Sequence, residues 1–322
     1  MAQALISASN LSKRHFLYTS SVALALLFTW RAARGAEVPI QHDAGQTGET
    51  SMNDQQTTKF DESFVKGPQG KLFTSMSLRT GKSTPILFVH SDGGTLHHWD
   101  SIRAKLNAYF STVAFDRRGH GQSDAPRNHS FATADAAADI TAVANAAKLE
   151  RFVLVGHSGG AVTAFAFAGL YPQRLSGLVL VDPPPDPAIL PPGMIEETLK
   201  ALRGKDYAAT VEKYFRSIAG DDKSVADRIV ADALATPRET IIGLFETTTS
   251  FDPKSYAGLI QCPSLSIIQS QYDVEGALHR IPPGFPHVAI DGAGHWIHLV
   301  KPEQFLSSLQ EFLNQVTKER VQ

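Results

Sequence analysis

Six short apolar runs set most of the terms on which this chain can fold: Pro85 to His90, Thr112 to Asp116, Phe152 to Gly156, Leu178 to Asp182, Leu265 to Ile268 and His287 to Ile290. They are β-branched and mostly uninterrupted, the pattern of strands covered on both faces. Between them lie stretches with apolar residues at helical spacing: Ala136, Ile140, Val143 and Ala147 in one, and Phe305, Leu309, Phe312 and Val316 after Pro302 in another. Strands alternating with helices are joined by right-handed crossovers, so the sequence predicts an α/β class protein with a mostly parallel central sheet flanked by helices. Ahead of it, Phe60 to Val65 and Lys71 to Leu78 flank Gly67-Pro68-Gln69-Gly70 and predict a hairpin.

The alternation breaks once. Residues 183 to 250 hold no strand pattern, open with Pro183-Pro184-Pro185, and carry apolar stripes at Ile195/Leu199/Leu202, Val211/Phe215/Ile218, Val225/Ile229 and Ile241/Leu244/Phe245. They read as a helical insertion between two halves of one domain, 59–182 and 251–322. With 322 residues, 43% of them hydrophobic, the chain can bury one large core.

The N-terminus reads as an address. Lys13, Arg14 and His15 precede an apolar run from Phe16 to Trp30, and small residues follow at Ala32-Ala33-Arg34-Gly35-Ala36, the order of a signal peptide over 1–35. Ser12-Lys13-Arg14-His15-Phe16-Leu17 resembles a twin-arginine export motif with lysine in place of its first arginine. The competing reading, an uncleaved anchor, meets a run of about 15 residues where a span needs about 20. Residues 36–58 are polar and aperiodic, a flexible leader. The expected product is exported, periplasmic or secreted, with no stable membrane insertion of the mature chain. A single cysteine, Cys262, excludes an intrachain disulfide and is assigned no chemistry. The net charge of −2, with Lys and Arg scattered, lacks the footprint of a nucleic-acid binder.

Chemistry concentrates at Gly156-His157-Ser158-Gly159-Gly160, a G-x-S-x-G pattern. The strand Phe152 to Val155 leads straight in and the small residues Ala161 to Ala166 lead straight out, which makes the segment a nucleophile elbow lifting Ser158 above the sheet. A serine hydroxyl attacks only when a base takes its proton, and histidine has a suitable pKa. His295, in Gly292-Ala293-Gly294-His295-Trp296 after the last strand, is the expected base; His298 and His287 read as packing or surface residues, and His90, His97 and His98 precede the serine. The orienting acid is expected at Asp273, just after the strand Leu265 to Ile268, with Asp182 at the end of the preceding strand and Glu275 as competitors. Backbone N–H groups of Gly159 and of Asp92, in Ser91-Asp92-Gly93-Gly94, are expected to form an oxyanion hole.

With these residues in place the chain resembles the α/β-hydrolase superfamily over about residues 60 to 318, in its branch of esterases, lactonases and cofactor-free haloperoxidase-like enzymes. Asp116-Arg117-Arg118-Gly119-His120-Gly121-Gln122-Ser123-Asp124 is similar to that branch's D-x-R-G-x-G-x-S segment, which the resemblance implies is structural. It also implies the α/β-hydrolase fold, with 183–250 as a helical cap over the site. The sequence departs at His90-Ser91, where relatives carry His-Gly, and at the carboxylate on Asp92. Because a carboxylate would repel a forming oxyanion, the Asp92 side chain is expected to turn away or to hydrogen-bond nearby loop groups.

The leading functional reading is a serine hydrolase of a small-molecule ester or lactone, with no cofactor and no metal expected. Perhydrolase or haloperoxidase-like activity, or carbon–carbon or amide hydrolysis, by the same triad is the second, and an inactive hydrolase-shaped binding protein the third. Phe215, Phe245, Phe251 and Trp296 are candidates for either an acyl pocket or core. The sequence gives no indication of oligomeric state.

Overall fold

The computed structural model describes residues 60–81 and 83–319. The predicted signal peptide and the whole of the leader lie outside the described residues.

The chain opens with the expected hairpin, β1 (Asp61–Lys66) and β2 (Lys71–Ser77), paired antiparallel. Then follow β3 (Ile86–Val89), α1 (Asp100–Leu106), β4 (Thr112–Phe115), α2 (Thr133–Ala146), β5 (Phe152–His157), α3 (Gly159–Leu170) and β6 (Leu175–Val181). Between β6 and the next strand stand α4 (Met194–Leu202), α5 (Tyr207–Ile218), α6 (Lys223–Ala235), α7 (Arg238–Thr249) and the single turn α8 (Lys254–Ala257). The chain closes with β7 (Ser264–Ile268), β8 (His287–Ala289), α9 (Ile297–Val300) and α10 (Pro302–Glu319). The eight strands form one sheet in the order β1-β2-β4-β3-β5-β6-β7-β8. Only the β1/β2 and β2/β4 pairings are antiparallel.

Side chains of successive strand residues leave opposite faces of a sheet, and here both faces are apolar. Leu87, Val89, Leu154, Leu178 and Leu180 point into a layer with α2 and α3. Ile86, Phe88, Val153, Val155, Val179 and Val181 point into a second layer with Trp99, Leu106, Phe305 and Leu309. Leu154 is fully buried, so Leu154→Ala costs about 2–5 kcal/mol. β8 departs from the prediction that every strand is covered on both faces: it is the edge strand, and its three residues are exposed.

The helices between β6 and β7 build a third core from Leu202, Val211, Phe215, Ile229 and Ile241, and this core also takes in Trp296. α6 is capped at its start by Asp222, whose side chain accepts from Ser224 N and Val225 N. Among the described residues no helix is long and apolar enough to cross a membrane.

Candidate active site

β5 lies between β3 and β6 with every residue buried, and delivers the chain into the turn at Ser158. There φ is 54° and ψ is −122°, a strained conformation for a residue with a side chain. Two glycines make the turn possible. A Cβ on Gly156 would meet Gly160 O at 2.5 Å, and one on Gly160 would meet His90 O at 2.4 Å. The Ser158 N–H donates to Val181 O at 3.0 Å, which ties the elbow to the end of β6. Its hydroxyl makes no hydrogen bond among the described residues.

Register then places an acid beside it. His157 pairs with Val181, so the next residues along the two strands are Ser158 and Asp182. Asp182 is buried, also has a positive φ of 42°, and accepts from Gln269 N through Oδ1 at 3.1 Å. Its Oδ2 lies 2.7 Å from His295 Nδ1. The carboxylate calls for Nδ1–H, which leaves Nε2 of His295 as the nitrogen able to take a proton.

His295 is held from three sides. Its N–H donates to Ile218 O at 2.8 Å, from the end of α5. Its carbonyl accepts from His157 Nε2 at 2.8 Å, and the two rings lie 4.8 Å apart. The structure thus brings His295 against the residue preceding the serine. Burial, followed by the neighbouring His295 and His298, pushes His157 well below the usual imidazole range, so it stays neutral and serves as a strut.

Asp273 is not brought to His295, which corrects the sequence expectation. Asp291 pulls the loop after β7 aside, accepting from Ser270 N and Ser270 Oγ at 2.8 Å each. Asp273 then faces Arg280, which donates from Nε to Oδ1 and from Nη2 to Oδ2 at 2.6 Å, and His279, whose Nε2 donates to Oδ1 at 2.9 Å. Arg280, then the His279 hydrogen bond, holds this carboxyl well below the usual range. Ligand atoms of Asp273, His279 and His287 lie within 4.8 Å of one another, a metal-compatible spacing, but Arg280 occupies both carboxylate oxygens and opposes a cation. We read this group as an ion-pair network.

The N–H groups of Gly159 and Asp92 have no acceptor among the described residues, as an oxyanion hole requires. The Asp92 side chain bonds a neighbouring loop: Oδ1 accepts from Arg117 Nη1, after β4, at 2.5 Å, and the carboxyl rests against the α-carbon of Gly159. The rest of the Asp116 to Asp124 segment is structural: Asp116 accepts from Leu96 N and Gln122 N, and Arg118 pairs with buried Asp139.

The helices inserted after β6 close on this corner. Asp232 of α6 bonds His98 Nε2 at 2.8 Å, and Arg228 Nη2 donates to His97 O at 2.9 Å. Phe215 and Trp296 belong to the third core, with Phe245 packed against it, and Phe251 sits in the α2/α3 layer, so these aromatics read as core. Two tyrosines escaped the sequence reading. Tyr272 lies with its ring 6.5 Å from that of His295. Tyr214 is 41% exposed, and desolvation of its phenol, then the charge of Asp92, pushes its ionisation up to about 12. No spacing in the sequence distinguishes either from other tyrosines.

Comparison with known proteins agrees with this fold. The family model described as alpha/beta hydrolase fold matches residues 84–302. The chain is similar to an abhydrolase domain-containing protein of Schizosaccharomyces pombe, 29% identical over 75% of this chain and 96% of that one. It is also similar to N-formylmaleamate deformylase of Pseudomonas putida, 27% identical over 73% of this chain and 90% of that one. In fold it matches an enol-lactonase from Burkholderia xenovorans with a TM-score of 0.69 at 19% identity, covering 78% of this chain and all (100%) of that one.

Proposed function

The chain belongs to the alpha/beta hydrolase family, and from that premise we propose that it is a serine hydrolase cleaving a carboxylic ester or lactone through an acyl-enzyme on Ser158. The reading is carried by one observation, the 2.7 Å contact of His295 Nδ1 with buried Asp182 beside the strained Ser158 turn. Ser158 Oγ attacks the carbonyl carbon as His295 Nε2 takes its proton. Asp182 holds the imidazole in the required tautomer and stabilises it once charged. The N–H groups of Gly159 and Asp92 receive the oxyanion, and the protonated His295 then releases the leaving alcohol. Water, activated by the same imidazole, attacks the acyl-enzyme and frees Ser158.

In this reading the helices of 183–250 act as a cap, and the N-terminal address makes the mature enzyme periplasmic or secreted. The deformylase relative supports amide hydrolysis by the same triad as the second reading. The test is turnover of p-nitrophenyl esters of rising chain length and a set of lactones, with fluorophosphonate labelling, by wild type and Ser158→Ala. The substitution is expected to remove labelling and lower kcat/KM about ten-thousandfold. Equal turnover by the two proteins would end the proposal.

A further inference from the structure

The carboxylate of Asp92 is left with one oxygen to use, and its position points to what uses it. Oδ1 is held by Arg117, which is 6% exposed and is itself fixed by His90: the Arg117 N–H donates to His90 Nε2 at 2.9 Å, and its Nη1 reaches His90 O at 3.4 Å. Oδ2 has no partner among the described residues, although the side chain is only 25% exposed. A methyl group added to Gly159 would lie 2.2 Å from Oδ1 and 2.3 Å from Oδ2. The carboxyl therefore fills the space that a side chain next to the nucleophile would take.

Two consequences follow. A carboxylate this close to the oxyanion position opposes the charge that develops there, and Arg117 offsets only part of that opposition. A hydrogen bond donated to Oδ2 by the substrate offsets more, and satisfies a half-buried acceptor. A group resting on the Gly159 α-carbon is a close neighbour of any carbonyl whose oxygen sits at the Gly159 N–H.

We propose that Asp92 Oδ2 is an acyl-side specificity subsite that accepts a hydrogen bond from an O–H or N–H carried on the carbon next to the scissile carbonyl. The preferred substrates are then 2-hydroxy or 2-acylamino esters and lactones rather than plain alkyl ones. The inference rests on the serine-hydrolase reading above.

The test compares three lactones on the full chain: α-hydroxy-γ-butyrolactone, its α-methoxy ether and unsubstituted γ-butyrolactone. The ether keeps the oxygen and its electron withdrawal, adds a methyl group and has no donor. Wild type is expected to favour the hydroxy over the methoxy lactone in kcat/KM by about tenfold to a hundredfold, the worth of one hydrogen bond to a charged group. In Asp92→Asn the amide oxygen stays on Arg117 and its NH2 replaces Oδ2, putting a donor where an acceptor stood; the ratio is expected to fall to one or below. Equal rates for the hydroxy and methoxy lactones in wild type would overturn the subsite, whether or not the variant folds, and so would a ratio unchanged by Asp92→Asn. Wild type that turns over no lactone or p-nitrophenyl ester and resists fluorophosphonate overturns the hydrolase reading as well, which separates the two failures.

Discussion

Two loops at the ends of adjacent strands, one after β6 and one after β7, each present an aspartate to a histidine. Asp182 has a side chain with no exposure and spends its oxygens on one imidazole and one backbone N–H. Asp273 is 26% exposed and already carries a guanidinium on both oxygens, with His279 in addition. Only the first leaves the charge on its histidine as the natural partner of its own. An acid that must stabilise a transient imidazolium is useful when no permanent cation has claimed it, and burial sharpens the effect by removing water's competition.

Exchanging the roles by mutation is the strongest way to break this comparison. Asp182→Asn is expected to lower kcat about ten-thousandfold by releasing the wrong tautomer of His295. Asp273→Asn should stay within about threefold, since a surface ion pair is worth little. Steady-state kinetics on the two variants decide it, and a large loss at Asp273 with a small one at Asp182 would reverse the assignment.

Acid stability sharpens it at intermediate scale. His98, His157 and His298 surround the inner site, and burial pushes each below the ordinary 6.5. They fold neutral, whereas the unfolded chain protonates them below about 6.5, so stability is complete above that pH and erodes as pH falls from 6.5 towards the folded values. Denaturation between pH 7 and 5 should report uptake approaching one proton per buried histidine on unfolding. Both ring nitrogens of His298 are buried without partners among the described residues, and its ring stacks on Trp99 at 4.1 Å. His298→Phe is expected to remove one proton from that slope and to gain about 1 kcal/mol at pH 5. An unchanged slope would show that the acid sensitivity lies elsewhere.

The smallest effect belongs to the outer loop. Arg280→Ala breaks a pair whose side chains are 45% and 26% exposed, and should cost about 0–1 kcal/mol in urea unfolding, with less difference at high salt.

Much of the architecture was legible because it is written in local patterns. The buried strands declare themselves by unbroken β-branched runs, and the elbow by glycines that the close approach of Gly160 to His90 O demands. The choice between two aspartates was not legible in that way. It depends on Asp291 drawing Ser270 aside and on Arg280 folding back onto Asp273, contacts that exist only after the loop is closed. The Asp92 side chain was anticipated as a difficulty, and its partner Arg117 was seen only as part of a structural segment. β8 read as a covered strand because its composition matches the others, and only its edge position exposes it.

One contact described above ties the two parts of the molecule together more tightly than a hinged lid would. The inserted helices end α5 by accepting the His295 N–H at Ile218 O, and a Cβ on Gly294 would strike Ala219 O at 2.3 Å, so the backbones of insertion and base loop interlock without a gap. Transplanting a foreign insertion to change substrate range would therefore also set down a new anchor for the imidazole. Grafts that keep Ile218-Ala219-Gly220 together with Gly294 are the ones in which altered selectivity can be separated from a displaced base.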